Sequence, residues 1–473
     1  MAPGNTAAWQ AWQRQLSRRH RNLGPWRRLS AQAPLAWGLI ELIERSAGGN
    51  GSLDLAETLD LVLRLAEIQP GSRRSPTGLD KQLACWLADA VGAPLSAGLL
   101  IEQLAWAHAL PRLAASVSAD CWWQCLEQLV VTAEEAAEAP RQVPLLPRQL
   151  AAVELPWTLA CLFPELEACR RLAPDSGAVV LEGMDELMDA TGVPRAAQLD
   201  LLRPLLACWT RCRALSIKAP GWWDAEIHGR YQQLVQEALR LARPDGSQAF
   251  STRSEFQLPQ GAELLRAAAA FSNKHDRLIA GLALNGSKRA QGRPATSARL
   301  PAASGNSESA GVAVLRSSWS KRAAVLSVAY GGPVLGSELN VRGEVVWSGQ
   351  SNPVVQLDGR PLEADSDWEE VCWVSDDDVD YLELQLLLSG GARIERHLLL
   401  AHEGQFLFVA DAVFTEQPAA IDYRSSLPLA ATMGFAPEAE FHEGWLAGRR
   451  RLCRVLPLAL SEWRCDRRAG TLA

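Results

Sequence analysis

The chain has 473 residues, of which 48% are hydrophobic and 21% are charged. This composition is that of an ordinary globular protein and excludes disordered and collagen-like classes, while the length predicts roughly two to three domains. The net charge of −7 gives no electrostatic reason to expect a nucleic-acid partner. We also expect no membrane span, because no apolar run approaches the roughly 20 residues that one needs.

Residues 1–30 form a basic N-terminal arm that contains six arginines and no acidic residue. No apolar core of about 7–15 residues follows, so this start is not typical of a secretory signal, and a cytoplasmic location is expected. The pattern fits a solvated arm or a first helix that docks through Trp9, Trp12 and Trp26. An organellar transit peptide is the other interpretation.

The ten cysteines do not show the spacing of a metal site. Cys121 and Cys125, like Cys208 and Cys212, are four residues apart in helical sequence, and no C-x-x-C occurs. Zinc needs convergent ligands, and neither pair has a neighbouring histidine. We therefore expect buried free thiols in a reducing compartment, with no bound metal ion and no other cofactor.

Residues 31–285 are predicted to form a helical domain, because apolar residues recur there at helical spacing and no strand pattern interrupts them. This periodicity alone is compatible with any helical bundle. The predicted helices are Ala31–Arg45, Asp54–Ile68, Leu79–Val91, Gly98–Ser116, Ala119–Glu138, Arg148–Leu162, Ser176–Ala190, Ala196–Leu215, Asp224–Ala242 and Gly261–Leu284.

Residues 286–310 are rich in Ser, Ala, Gly and Pro, which predicts a linker. From residue 311 to 473 short apolar runs and period-two alternation predict an antiparallel β-domain. Asp358-Gly359 and Gly390-Gly391 are hairpin turn signals. The predicted strands are Val312–Leu315, Ala324–Tyr330, Glu344–Trp347, Val354–Leu357, Asp380–Ser389, Ala392–Ala401 and Gln405–Val413.

The order strand, Arg-Ser-x-Trp, strand, small-residue loop and strand in Gly311–Gly349 resembles the opening of the β-domain in heparinase II/III-like polysaccharide lyases. Asp380–Phe414 resembles the hairpin of that family, and Met184–Leu206 is a weaker match. The resemblance implies a multi-domain α and β protein: an N-terminal (α/α) toroid-like helical domain followed by an antiparallel β-sandwich. Because the sequence stops in mid-pattern, we expect this sandwich to be incomplete at the C-terminus, as in a fragment.

The family cleaves uronate-containing acidic polysaccharides by β-elimination, and its loop after the second strand carries a His-x-His-x-Asp-type motif. Here that loop, Gly331–Asn340, contains no histidine. We therefore expect a heparinase II/III-like protein whose carbon–oxygen lyase activity is reduced or lost. The alternative is a non-catalytic module on the same fold that binds glycan or another protein. The sequence leaves the oligomeric state open.

A uronate lyase needs a base, an acid for the leaving oxygen and a group that stabilises the enolate-like intermediate. Tyr231 is the only tyrosine in the predicted helical domain, and His228 lies three residues earlier on the same helix face. These two and His275 are the candidate catalytic residues. In the other interpretation Tyr231 packs into the helical core and His228 is exposed.

The candidate substrate-binding groups are of three kinds: a polar group before the last helix, two tryptophans after Pro-Gly, and a cationic strand face. They are Asn273, Trp222, Trp223, Arg393, Arg396 and His397.

Each of these groups also has a structural interpretation. Asn273 can begin a helix, and the strand face can be a solvated surface with Glu383 and Glu395. Arg316 is expected to pair with a buried acid such as Asp411.

Overall fold

The computed structural model describes residues 6–22, 34–39, 42, 51–66, 79–138, 143–173, 176–251, 260–286, 300–404, 406–465 and 472. The chain divides into two compact units, each treated by itself below. The helical unit comprises Met1–Pro194, Gln198–Leu239 and Ser251–Ala280, and the sheet unit comprises Arg195–Ala197, Arg240–Phe250 and Gly281–Ala473. A helical domain followed by antiparallel sheets confirms the predicted fold class.

The described α-helices follow the predicted segments closely, and Ala119–Glu138 has the predicted bounds. Among the described helices, none combines the length and hydrophobicity needed to cross a membrane. The helices are Thr6–Asn22, Gly51–Ala66, Leu79–Ala90, Ala97–Leu113, Ala119–Glu138, Leu145–Gln149, Leu155–Leu162, Glu167–Arg171, Ser176–Leu187, Leu202–Ser216, Ala225–Arg240, Gln260–Phe271 and Lys274–Ala283.

The predicted helix Gly261–Leu284 is wrong as a single element, because it splits at Ser272 and Asn273. The Asn273 Oδ1 atom accepts from the backbone N–H groups of His275 and Asp276, at 2.8 and 3.0 Å. A side chain that caps N–H groups in this way favours the start of a new helix. Most of the predicted helix Ala31–Arg45 lies outside the described residues, which include a 3₁₀ turn at Pro34–Ala36.

The first helix, Thr6–Asn22, packs into the helical unit through aromatic contacts. The rings of Trp9 and Trp12 lie 5.6 and 6.2 Å from that of Trp122, both edge to face, and Trp12 is buried. Edge-to-face pairs at this spacing are favourable beyond the area that they bury. Docking of the arm through Trp9 and Trp12 is thus confirmed, while Trp26 lies outside the described residues.

A buried ion pair lies in the core of the helical unit. Both carboxylate oxygens of Glu154 accept from Arg211, at 2.5 and 2.8 Å, and Arg211 also donates to the carbonyl of Pro34 at 3.1 Å. Cys208 and Cys212 are fully buried beside this pair. Burial is the largest cause that raises the pKa of both thiols above the ordinary value.

In the sheet unit, strands β1 to β5 form one antiparallel meander in the order β1-β2-β3-β4-β5. These strands are Gly305–Ser307, Val312–Arg316, Ala324–Ala329, Gly336–Val341 and Glu344–Gln350. Two of them were not predicted: β1 lies within the predicted linker 286–310, and β4 overlaps the predicted loop Gly331–Asn340. Residues 287–299 of the linker lie outside the described residues.

A second meander has the order β11-β10-β9-β8, with strands Glu369–Ser375 (β8), Val379–Leu388 (β9), Ala392–Ala401 (β10) and Phe406–Phe414 (β11). The β9–β10 hairpin is the one predicted, and Gly390 and Gly391 both have positive φ in its turn. Alternate residues of β9 and β10 are buried, and together with residues of β2 to β5 they form one hydrophobic core. Period two thus places the other alternate residues on the outer face of this sheet.

Two three-stranded sheets complete the described part of the sheet unit. One has the order β12-β6-β7 and the other β13-β14-β15. The predicted turn Asp358-Gly359 joins β6 and β7, with φ values of 49° and 77°. The strands are Val354–Leu357 (β6), Arg360–Pro361 (β7), Ile421–Arg424 (β12), Gly434–Pro437 (β13), Gly444–Ala447 (β14) and Arg451–Val455 (β15).

The segment Arg240–Phe250 belongs to the sheet unit, although the sequence predicted it within the helical domain 31–285. Its Arg243 donates to both carboxylate oxygens of Glu338 in β4, each at 2.7 Å. The backbone N–H of Phe250 and the hydroxyl of Ser348 also donate to Glu338, at 2.8 and 2.7 Å. Arg243 and Glu338 are almost completely buried, so this contact replaces water around both charges.

We expect Glu338→Gln to destabilise the protein by about 3–5 kcal/mol, because it leaves the buried Arg243 charge without its carboxylate. Urea denaturation measures the loss. Glu344→Gln is the matched control, because Glu344 pairs with Arg450 at the surface and such pairs contribute about 1 kcal/mol or less. Equal losses in the two variants would contradict a special role for the buried pair.

The carboxylate of Asp380 is fully buried on the core face of β9 and accepts four hydrogen bonds. The donors are the hydroxyls of Ser304 and Ser375 at 2.5 and 2.7 Å, the backbone N–H of Arg316 at 2.9 Å and the ring Nε2 of His402 at 3.0 Å. Burial lowers the pKa of His402, but the bonds to Asp380 and to the Asp377 carbonyl outweigh it and raise the pKa above the ordinary value.

A raised folded-state pKa means that His402 binds its proton more tightly when the chain is folded. The resulting stability is fully present below the unfolded pKa of about 6.5 and is lost as the pH rises through the folded-state value. We therefore expect His402→Gln to lower the urea midpoint more at pH 5 than at pH 9, with His442→Gln as the control. An equal loss at both pH values would contradict the charged His402–Asp380 contact.

Candidate functional site

Tyr231, the predicted proton-transfer residue, lies on the helix Ala225–Arg240 and is completely buried. Its hydroxyl lies 2.9 Å from the Thr210 hydroxyl and donates to the carbonyl of Ala268 at 3.4 Å. Burial raises the pKa of Tyr231 well above its ordinary value, against smaller effects of Thr210 and Arg213 that lower it. This arrangement favours the interpretation of Tyr231 as a core residue.

Trp222 and Trp223 lie at the 3₁₀ turn Pro220–Trp222 and differ in exposure. Trp222 is half-buried, and Trp223 is buried with its ring edge-on to Tyr231 at 5.4 Å. The ring of Trp157 lies 5.4 Å from Trp222 and 6.2 Å from Trp223. Of the two tryptophans predicted to stack on a sugar ring, Trp222 is therefore the one whose side chain is still partly exposed to solvent.

A charged group that the sequence did not single out completes this region. The guanidinium carbon of Arg213 lies 5.8 Å from the centre of the Trp223 ring, and its Nη1 donates to the Ser216 hydroxyl at 3.0 Å. His228 is half-buried, and burial followed by the charge of Arg213 lowers its pKa. We call Arg213, Trp222, Trp223 and His228 the Trp222 cluster.

Three nitrogen atoms of this cluster are buried without a hydrogen-bond partner among the residues that the structure describes: Trp223 Nε1, Arg213 Nε and His228 Nδ1. The Trp and Arg nitrogens can only donate. The Nε2 of His228 lies 3.3 Å from the Gln232 Nε2, an amide donor, so in the neutral ring Nδ1 carries the proton. All three are donors, which suits a ligand rich in acceptor oxygens.

Asn273 and His275 lie at the start of the helix Lys274–Ala283. The Asn273 carbonyl oxygen caps that helix, and its amide donates to the Asp276 carboxylate at 2.8 Å. Asp276 is buried, and burial raises its pKa. Both the oxygen and the nitrogen of the Asn273 side chain therefore bond to neighbouring residues, as its structural interpretation predicts. His275 is half-buried beside it.

The predicted cationic strand face is not formed as expected, because Arg396 lies on the opposite face of β10 from Arg393 and His397. Neighbouring residues of a strand alternate between faces, so Arg396 reaches the core side. There it is buried and donates to both oxygens of Asp411, at 2.6 and 2.8 Å. The predicted Arg316–Asp411 pair is therefore wrong, since Asp411 pairs with Arg396.

On the outer face, Arg393 donates to Glu395 at 2.9 Å and the His397 Nδ1 lies 2.7 Å from the Tyr381 hydroxyl. This face thus carries acidic as well as basic groups.

Two groups within the described residues bring three possible metal donors together: Glu154, Cys208 and Cys212, and Glu383, Glu395 and His397. In the first, both oxygens of Glu154 are held by Arg211 and the raised pKa values keep the thiols protonated. Thiolate is the form that binds zinc. With its carboxylate paired and its thiols protonated, the first group is therefore not arranged to bind zinc.

No known protein-family profile matches this chain, and no curated protein sequence does. Solved structures do. Heparan sulfate lyase HepC from Pedobacter heparinus is 13% identical, with a TM-score of 0.51 over 86% of this chain and 67% of its own. A heparinase III gene product is 10% identical, with a TM-score of 0.58 over 94% of this chain and 70% of its own. Another heparinase III structure is 11% identical, with a TM-score of 0.59 over 84% of this chain and 68% of its own.

These similarities show a heparinase-like polysaccharide lyase fold, which confirms the resemblance stated from the sequence. At 10–13% identity they establish the fold and leave the function to be argued from the residues.

The buried position of Tyr231 leads to the opposite expectation from its sequence-based role. Tyr231→Phe should leave any lyase turnover unchanged and destabilise the helical unit by about 1–3 kcal/mol, because Thr210 loses its buried partner. Thr210→Val is the control, since it removes the same bond but keeps the tyrosine hydroxyl. A fall in turnover of about 10²–10⁴-fold in Tyr231→Phe alone would restore its catalytic role.

Proposed function

We propose that this chain binds an acidic, uronate-containing polysaccharide through the Trp222 cluster, and that its β-elimination activity is reduced or lost. The proposal extends the fold, which it shares with structures described as heparinase III and heparan sulfate lyase, to a ligand of related chemistry. A helical domain of (α/α) toroid type is part of this proposal.

The observation that carries the proposal is the set of three buried donors of the Trp222 cluster. A buried donor without an acceptor costs about 1–3 kcal/mol, so such groups usually have a partner or a function. Carboxylate and hydroxyl oxygens of a uronate would supply acceptors once the side chains that cover these nitrogens shift, and a guanidinium suits a carboxylate in particular. The half-buried Trp222 ring offers an apolar surface for a sugar ring.

Reduced or lost activity is supported by two features. The family's histidine motif is absent from Gly331–Asn340, where β4 instead places Glu338 in a buried ion pair with Arg243. The Tyr231 hydroxyl is bonded inside the helical unit, and burial raises its pKa. An acid or base has to reach the proton that it transfers and have a pKa near the working pH.

The test is binding of the whole protein to heparan sulfate, hyaluronan and alginate, with neutral dextran as the ligand control. We expect Arg213→Gln to weaken binding by about 10–100-fold, because a charged hydrogen bond contributes about 1.5–3 kcal/mol. Trp222→Ala should also weaken it. Trp463→Ala is the matched control, since Trp463 is an exposed tryptophan of the sheet unit.

The same panel, followed by the absorbance of the unsaturated product, measures lyase activity. Binding to none of the polysaccharides, or equal binding by Arg213→Gln and the parent chain, would refute the proposed site and favour a protein-interaction module. Rapid cleavage of any uronate polymer would refute the reduced activity while leaving the binding site intact.

A further inference from the structure

The outer face of the β9–β10 hairpin carries a cluster of polar side chains: Tyr381, Glu383, Glu395 and His397. His397 lies directly opposite Glu383 in the strand register, and Glu395 precedes His397 by two residues on β10. Alternation along each strand places all four on the face away from the hydrophobic core. We call Glu383, Glu395 and His397 the hairpin triad.

The donor atoms of the triad lie close enough together to converge on one metal ion. One carboxylate oxygen of each glutamate and one ring nitrogen of His397 all lie within 4.8 Å of one another. The pair Glu383 Oε2 and His397 Nδ1 is 3.9 Å apart. For three atoms so spaced, a central point lies no farther than about 2.8 Å from each, and small rotamer shifts reach the ligand distances of about 2.0–2.2 Å found for zinc.

The local charges favour a dication. The side chains of Glu383 and Glu395 are only 20% and 19% exposed, so water screens their mutual repulsion incompletely. Arg393 offsets the charge of Glu395 through a 2.9 Å contact, but its own side chain is 45% exposed. A bound divalent cation would remove the remaining repulsion between the two carboxylates.

Tyr381 holds the triad in place. Its hydroxyl lies 2.8 Å from Glu383 Oε2 and 2.7 Å from His397 Nδ1, so it links the two side chains across the hairpin. These bonds fix the positions of Glu383 and His397, and a metal ion bound at Oε2 and Nδ1 would replace the Tyr381 hydroxyl as the partner of those two atoms. The triad is therefore prearranged on rigid strands rather than on a mobile loop.

From this geometry we infer that Glu383, Glu395 and His397 bind a divalent transition-metal ion of the zinc class. An imidazole nitrogen beside carboxylates suits zinc better than calcium or magnesium, which prefer oxygen ligands alone. Three protein ligands leave a fourth position for water or another ligand. The inference departs from the sequence-based expectation of no metal, and it stands independently of the polysaccharide-binding proposal.

The experiment is titration of Zn²⁺ into the whole, chelator-stripped protein, with calorimetry for affinity and elemental analysis for stoichiometry. We expect one equivalent of Zn²⁺, with affinity lowered at least about 100-fold by His397→Gln and by Glu383→Gln. His442→Gln and Cys372→Ser are the controls and should bind as the parent chain does. Cys372 is the informative thiol, because it pairs with Glu383 across β8 and β9.

Circular dichroism establishes that each variant is folded before its titration is interpreted. Absence of saturable Zn²⁺ binding by the parent chain would overturn the inference, as would unchanged affinity in both triad variants. Loss of binding in Cys372→Ser would assign the zinc to a thiol instead. Saturable binding of Ca²⁺ but not Zn²⁺ would overturn the transition-metal class.

Discussion

The buried contact between Arg243 and Glu338 is the constraint on which the first meander depends. It joins residues 95 positions apart in the sequence, and Glu338 accepts from Arg243, Phe250 and Ser348 together. Neither charge can remain in the interior without the other, since the desolvation of a single buried ion costs several kcal/mol. The pair therefore fixes both the course of Arg240–Phe250 and the position of β4 in the sheet unit.

This constraint also bears on the proposed function, because the resemblance to the lyase family would place its histidine motif in the stretch that β4 occupies. In this chain the same stretch supplies a structural carboxylate, and β4 pairs with β3 and β5, with a register shift against β5 between Leu339 and Asn340. The chain thus has a heparinase-like polysaccharide lyase fold, and this stretch contributes a buried ion pair to it. The two candidate binding sites proposed above, the Trp222 cluster and the hairpin triad, lie elsewhere in the chain.

The two candidate sites differ in how they achieve their chemistry. The Trp222 cluster is a set of donors in the helical unit, formed on a turn and on two separate helices, and it suits an acidic or hydroxyl-rich ligand. The hairpin triad is built on two paired strands, where the register alone brings Glu383 opposite His397. A shared fold with heparinases identifies the ligand of neither site, so each proposal rests on the residues of its own site.

The sequence by itself determined the change from helices to strands, the β9–β10 hairpin and the turn at Asp358-Gly359, because periodicity and turn residues act over a few neighbouring positions. It could also place Glu395 and His397 on one strand face. Only the tertiary structure decided that Arg396 pairs with Asp411. It also decided that the buried Tyr231 hydroxyl bonds to Thr210, and that Arg213 lies beside Trp223. Those outcomes depend on contacts between distant segments, and the desolvation of buried charges and hydroxyls selects among partners that local patterns cannot distinguish.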